Sequence, residues 1–462
     1  MTPPDTPTIA EAARAFAAKR LSPVELVRAL NKRIDAIDPS VNAFLLRTAE
    51  IALRQALAAE KTLRAGEGGP LTGIPLAYKD IYDTARMRTT AHSRILETNV
   101  PKADAETVRR LGAAGAVMLG KLATHEFAIG GPAMDLPWPP ARNPWDIRRF
   151  TGGSSSGSGA AIAAGMVLGA LGSDTGGSIR LPAAFCGIAG LKPTPGLVSR
   201  RGVIPLAPSL DTAGPMAWTT EDCAILLDAL AGHDPLDPAS VPGPKVSYAR
   251  AIEAPIKGMR VGVLRRFFEH DAPVEPETLR MMADAQRVFR DLGCVVSDAV
   301  LPPVADFNAV GRVIISAEAY ALHEATLRTR LSDYSRVFRI RVLAGALVRA
   351  ADYIAAQRRR TDLIAAAAKA FEKFDVLICA PVAGPAPLLA EQRPDDGFSR
   401  PLVTTVANVA AVPSMVVRGG FTAPGLPLGL EIMGPAWGDA AVLRAGHHFE
   451  RAAGHLGRRP AI

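Results

Sequence analysis

The stretch FTGGSSSGSGAAIAAGMVLGALGSDTGGSIRLPAAFCG, Phe150 to Gly187, gathers hydroxyl side chains and glycines among alanines. Hydroxyls serve as nucleophiles or proton carriers, and glycines let backbone N–H groups approach a reacting atom. Together they can bring backbone N–H groups and hydroxyls close to a reacting atom, which bulky residues would prevent. A flexible Gly/Ser linker would not interleave AAIAAGMVLGAL, which reads as a helix followed by a buried strand. The small residues therefore belong inside a fold.

Several chemistries compete for these residues. Gly153 to Gly157 fits G-x-S-x-G with Ser155 as nucleophile and His447 or His448 as a late base, yet the apolar strand that must precede such an elbow is replaced by NPWDIRRFT. Asp174-Thr175-Gly176 matches one aspartic-protease loop, but no second D-T-G or D-S-G supplies the facing carboxylate. No S-x-x-K, phosphate-binding G-x-x-x-x-G-K-[ST] or H-E-x-x-H is present. Cys186, Cys223, Cys294 and Cys379 are scattered singly and read as buried thiols, so neither a metal nor a cofactor is expected. What remains is a serine whose base is not histidine. Lys79, closing the strand pattern GIPLAYKDI, is placed for partial desolvation, which favours the neutral amine that a base must be.

The elements around these residues alternate. Ser22, Pro23 and Glu25 form a capped helix start before LVRALNKRIDAI, and AEIALRQALAAEKTLRAGE continues the helical character of residues 1–65. Short apolar runs then alternate with helical patterns: GAVMLG after DAETVRRLGAAG, MVLGALGS after the serine-rich turn, and GMRVGVL before PETLRMMADAQRVFRDLG. Such alternation predicts an α/β fold with a largely parallel sheet. Residues 307–374 are almost wholly helical, and strands resume with FDVLICAPV, SMVVRGG and LPLGLEIMGP. With no linker between halves, the chain reads as one domain, 1–462, in which 307–374 is a helical cover or subdomain. A length of 462 residues, 48% of them apolar, supports a large core. The net charge of +8 is spread out, and QRRRT at 357–361 reads as a solvated helix face, so no nucleic-acid partner is expected. No apolar run approaches a membrane span, and a cytoplasmic protein is expected.

The chain resembles the amidase signature family, serine hydrolases with a Ser-cisSer-Lys triad. The resemblance rests on G-x-P-x-x-x-K-D at Gly73 to Asp80, GGSS at Gly152 to Ser155, GSDTGGSIR-x-PAAFCG-x-x-GLKPT at Gly172 to Thr194, and PLGLEIMGP near the end. It implies a large twisted mixed, mostly parallel β-sheet with helices on both faces. It also implies Ser178 as nucleophile, Ser154 as the cis-serine and Lys79 as base, with the N–H groups of Thr175, Gly176, Gly177 and Ser178 forming the oxyanion hole. Ser155, Asp174 and Arg180 would brace these loops. Two departures stand out: Ser156 replaces a usual glycine, and His92 stands where glycine is usual and reads as a packing or surface residue.

The loop Ile129 to Pro140 is the expected pocket wall, with Ile129, Gly130, Met134, Leu136 and Trp138 as candidates, joined by Leu181. Since no charged cluster accompanies them, the sequence reading favours a small uncharged aliphatic or aryl amide, with carbamates and esters as possible further substrates, and a monomer or homodimer. Two alternatives compete. One is the glutaminase subunit of a tRNA-dependent amidotransferase, against which Leu181-Pro182 stands for Gln-Pro and PSLDTAGP for SSLDQIGP. The other is a catalytically silent binding protein, against which stands the complete triad.

Overall fold

The computed structural model describes residues 6–394 and 400–462. Eleven strands form one sheet: β1 (Phe44–Arg47), β2 (Pro75–Lys79), β3 (Val117–Leu122), β4 (Gly169–Asp174), β5 (Ala189–Lys192), β6 (Thr212–Ala217), β7 (Arg260–Val263), β8 (Val295–Asp298), β9 (Val376–Cys379), β10 (Ser414–Phe421) and β11 (Pro427–Met433). Their order across the sheet is β1-β3-β2-β4-β6-β5-β10-β11-β9-β7-β8. The expected mixed α/β sheet with surrounding helices is present. Its parallel share is smaller than the alternation predicts: β2 with β3, β2 with β4, β7 with β8 and β7 with β9 run parallel, and the remaining neighbours run antiparallel. The antiparallel pairs come from β1 against β3, from the β10–β11 hairpin with its neighbour β9, and from β5 and β6.

The N-terminal region holds the helices Ile9–Ala17, Pro23–Val41 and Ala49–Arg64. Ser22 accepts from the Glu25 N–H while the Glu25 side chain accepts from the Ser22 N–H, and Pro23 opens the helix, as the sequence predicts. The region is not wholly helical, because Asn42 turns the chain through a left-handed conformation (φ 55°) and the apolar FLLR that follows joins the sheet as β1. Between residues 304 and 371 lie the helices Val304–Arg330, Arg336–Leu343 and Ala350–Phe371. The chain closes with the helix Asp439–Ala453. Buried side chains from both ends of the chain, including Ile9, Phe16, Val442 and Phe449, belong to one continuous apolar cluster. Among the described residues, no helix is long and apolar enough to cross a membrane.

For the site, the parallel neighbours β2 and β4 matter most. With Tyr78 opposite Leu171, their C-terminal ends reach the same edge of the sheet, bringing Lys79 beside Ser173 and Asp174. The helix Ser156–Ala163 packs close because its glycines leave room: a Cβ on Gly157 would meet the backbone of Ala43 and Ala123, and one on Gly159 would crowd Pro182 and Cys186.

Candidate active site

Lys79 is fully buried at the end of β2. Its Nζ lies 2.7 Å from Ser154 Oγ and 2.8 Å from Ser173 Oγ. Burial lowers its pKa to about 7, although Asp174 and Asp211 pull the other way. A lysine so placed carries a neutral amine in a large fraction of molecules near neutral pH. Ser173 went unrecognised in the sequence; the signal was its place in GSD, at the end of the strand that parallels the lysine strand.

Ser154 follows a cis peptide bond from Gly153. Its carbonyl accepts the N–H groups of His125 (3.0 Å) and Ser156 (2.8 Å). The His125 ring lies over Gly153 so closely that a side chain at 153 would overlap it, and it stacks on Phe150 with centroids 5.8 Å apart. Burial and then the charge of Lys79 depress the His125 pKa to about 3, so this ring is neutral. Nothing in the sequence alone distinguished His125 from a packing residue. Ser156 begins its helix, so the hydroxyl in place of glycine costs the turn nothing.

Ser178 sits half-buried at the mouth of the loop after β4, and its hydroxyl has no hydrogen-bond partner among the described residues. Its carbonyl accepts the Ser155 N–H at 3.2 Å. The Ser155 hydroxyl in turn brackets Ser173, accepting its N–H at 3.2 Å and donating to its carbonyl at 3.3 Å. Lys79 and Ser154 are thus joined directly, whereas the Ser178 hydroxyl is left free at the surface of the site.

Asp174 organises the loop. Its carboxylate accepts the N–H groups of Gly177 (2.8 Å) and Ile179 (3.1 Å) and receives two nitrogens of Arg180 at 3.0 and 2.8 Å. Arg180 also reaches Glu431 at 2.5 Å and Asn408 at 2.6 Å. Burial alone would raise the Asp174 pKa, but the Arg180 charge outweighs it and holds the carboxyl well below its usual range. One expectation is corrected here: the Gly177 N–H is committed to Asp174 and is not available to an oxyanion. The N–H groups of Thr175, Gly176 and Ser178 make no hydrogen bond to the described residues. Thr404 Oγ donates to the Gly176 carbonyl at 2.8 Å, and the Thr175 hydroxyl donates to Asp211 at 2.6 Å, fixing the loop from both sides.

The residues expected to line a pocket disperse. Met134 is 62% exposed. Gly130 rests against Val337, with Ile129 beside the apolar core. Leu136 borders a small cavity with His92 and His125, while Trp138 lines a separate groove with Asp35 and Asp38. Leu181 packs at Gly177 on the loop after β4. His92 is buried, accepting the Thr124 N–H at Nδ1 and donating from Nε2 to the Trp138 carbonyl (3.1 Å), so it braces that loop. The cleft that does open beside Ser173 has a volume of about 300 Å³ and is walled by the 200–213 segment, including Ile204, Leu206 and Asp211, with only Ala128 from the neighbourhood of the expected wall.

The 129–140 loop carries one charge, Asp135, which accepts the Arg336 N–H at 2.8 Å; further charges lie on the helices that cover the site. Ile315 on Val304–Arg330 lies over Gly176, and one turn on, Glu318 accepts from the Ser209 N–H (2.9 Å) and the Tyr353 hydroxyl (2.7 Å). Arg360, on the facing helix, donates to the Val409 carbonyl at 3.2 Å; burial lowers its pKa, and Glu318 opposes that shift. A carboxylate and a guanidinium thus face one another between the two covering helices.

The family profile described as Amidase matches residues 25–443. The chain is 38% identical over 460 residues, 94% of each chain, to a Geobacter metallireducens protein named as the A subunit of glutamyl-tRNA(Gln) amidotransferase. Further proteins of that name from other bacteria are 38–40% identical over nearly the whole chain. Among solved structures, the inhibitor-bound vestigial complex of an s-triazine catabolic enzyme superposes with a TM-score of 0.90 at 33% identity, over 99% of this chain and 100% of that one. The A subunit of the Thermotoga maritima glutamyl-tRNA(Gln) amidotransferase does so at 0.82 and 31%, over 98% and 97%. These amidotransferase relatives overturn the expectation of a hydrolase for uncharged aliphatic or aryl amides, carbamates or esters. The substitutions at Leu181 and in PSLDTAGP had argued otherwise, but Leu181 packs on the loop at Gly177.

Proposed function

The chain belongs to the amidase family, and we propose that it is the amide-hydrolysing member of an amidotransferase assembly, releasing ammonia from glutamine. The observation that carries the chemistry is the buried contact between Lys79 Nζ and Ser154 Oγ. A neutral amine has two N–H donors and one lone pair. One N–H is taken by Ser173, and the lone pair accepts the Ser154 hydroxyl proton. Ser154 Oγ is then an acceptor for the proton that Ser178 loses as it attacks the carboxamide carbon. The free N–H groups of Thr175, Gly176 and Ser178 receive the oxyanion. As the C–N bond breaks, the proton returns from Lys79 through Ser154 to the nitrogen, which leaves as ammonia. Water attacks the γ-glutamyl ester by the same relay and glutamate departs.

Free glutamine brings an ammonium and a carboxylate, which need partners of opposite sign when buried, and in this reading Glu318 and Arg360 on the covering helices would exchange their present contacts for those groups. The relatives are named as one lettered subunit of an amidotransferase, so unlike subunits take the place of the monomer or homodimer expected from sequence. The test is ammonia release from glutamine, asparagine and a panel of neutral anilides by the chain alone and with its companion subunits. Preference for glutamine supports the reading; faster turnover of the neutral amides in both preparations rejects it.

A further inference from the structure

The helix Arg336–Leu343 continues through the 3-10 turn Ala344–Leu347 and carries apolar side chains on two faces. Val337, Phe338 and Val342 face inward and are buried, with Phe338 stacked on Tyr334 (centroids 4.5 Å apart) and beside Phe127 (5.6 Å). Facing outward, Ile340, Leu343 and Leu347 are 38%, 41% and 84% exposed. Their spacing of three and four residues sets them on one side of the helical run. Scattered exposed leucines need no explanation, but an aligned row on an already anchored helix does.

The stretch that carries this row is rich in arginine. Residues 336–360 contain seven arginines and a single aspartate, Asp352, which pairs with Arg349 at 2.8 Å. The guanidinium groups of Arg336 and Arg339, beside the row, make no ion pair among the described residues, although the Arg336 backbone N–H donates to the Asp135 carboxylate at 2.8 Å. A second copy of the chain would bring like charges together, and a phosphate backbone would meet aliphatic side chains at the centre of the patch. An acidic segment with apolar anchors matches both features.

We propose that this face docks an acidic amphipathic helix of a partner protein, whose apolar side chains seat on Ile340, Leu343 and Leu347 while its carboxylates meet Arg336 and Arg339. The proposal rests on the reading of the chain as one component of an assembly. The inner side of the same helix presses Val337 against Gly130, in the loop that leaves Ala128 at the rim of the cleft. A partner seated outside therefore braces a wall of the site.

The probe is a fluorescent helical peptide with leucines at i, i+3, i+4 and i+7 flanked by glutamates, compared by anisotropy with a version carrying lysines instead. The intact chain should bind the glutamate peptide at least about tenfold more tightly than the lysine peptide, and less tightly as salt rises. Leu343→Glu with Leu347→Glu should abolish that binding, and Arg336→Glu with Arg339→Glu provides a second variant that leaves the apolar row intact. Both should unfold at a nearly unchanged urea midpoint, because no buried position is replaced: Arg336, Leu343 and Leu347 are exposed and Arg339 is half-buried. Equal binding of the two peptides, or binding unaffected by both double substitutions, would overturn the proposal. So would sedimentation showing a dimer that either variant disperses, or binding of anionic vesicles or tRNA through these residues in place of the peptide. Glutamine hydrolysis is measured separately on the wild-type assembly without peptide: its absence would reject the functional reading while leaving the peptide result to decide the docking face.

Discussion

Lys79 Nζ and Ser154 Oγ are 2.7 Å apart, and the lysine is shut away from solvent. Desolvation sets its pKa at about 7 instead of the ordinary lysine value. Below that pH the ammonium has no lone pair, and above it the amine can take a proton. kcat/KM for the free enzyme should therefore climb as pH passes through about 7 and level off above it. A pH–rate profile on a substrate that does not titrate checks this; a rate falling over the same interval would contradict the assignment of base.

Ser173 holds the other side of the amine at 2.8 Å. Ser173→Ala should lower kcat/KM by roughly 2- to 10-fold, the loss of one neutral hydrogen bond, and displace the ascending limb of the profile. Ser173→Thr, which keeps the hydroxyl, should restore the position of that limb. An unmoved limb in the alanine variant would assign Ser173 to packing alone.

The Asp174–Arg180–Glu431 cluster is wholly buried. Arg180→Met leaves two carboxylates without their cation, and breaking such a pair costs about 3–5 kcal/mol. Urea unfolding at neutral pH should record a loss of that order. A change below about 1 kcal/mol would mean that the pair adds little to the fold.

Gly177 has φ +127°, and a Cβ there would collide with Thr404. Gly177→Ala should distort the loop that presents the Thr175, Gly176 and Ser178 N–H groups and cost about 10²- to 10³-fold in kcat, with a smaller change in KM. Steady-state kinetics separates the two; a raised KM at unchanged kcat would place the loop in ground-state binding instead.

The lysine at a strand end, the capped start at Ser22 and the glycine-rich approach of helix to strand were legible because each rests on local sequence. β6 was not legible: Gly214 and Pro215 argue against a strand, yet TAGPMA runs in the middle of the sheet between β4 and β5. Its register places Pro215 opposite Leu171, beyond the short ladder to β5 that begins at Met216, so the missing N–H is tolerated. The packing of Ile315 and Thr404 against the loop after β4 depends on tertiary placement, which no spacing rule encodes. The loop at 129–140 misled for the same reason: its apolar residues are braced by His92 and Val337 instead of facing Ser173.

Mass-spectrometric peptide mapping of the chain, quenched during turnover of glutamine, reads the nucleophile itself. A γ-glutamyl ester is expected on Ser178, absent from Ser178→Ala and formed together with one equivalent of ammonia. An ester on Ser155, or no adduct from glutamine under conditions where a neutral amide labels Ser178, would contradict the glutaminase assignment.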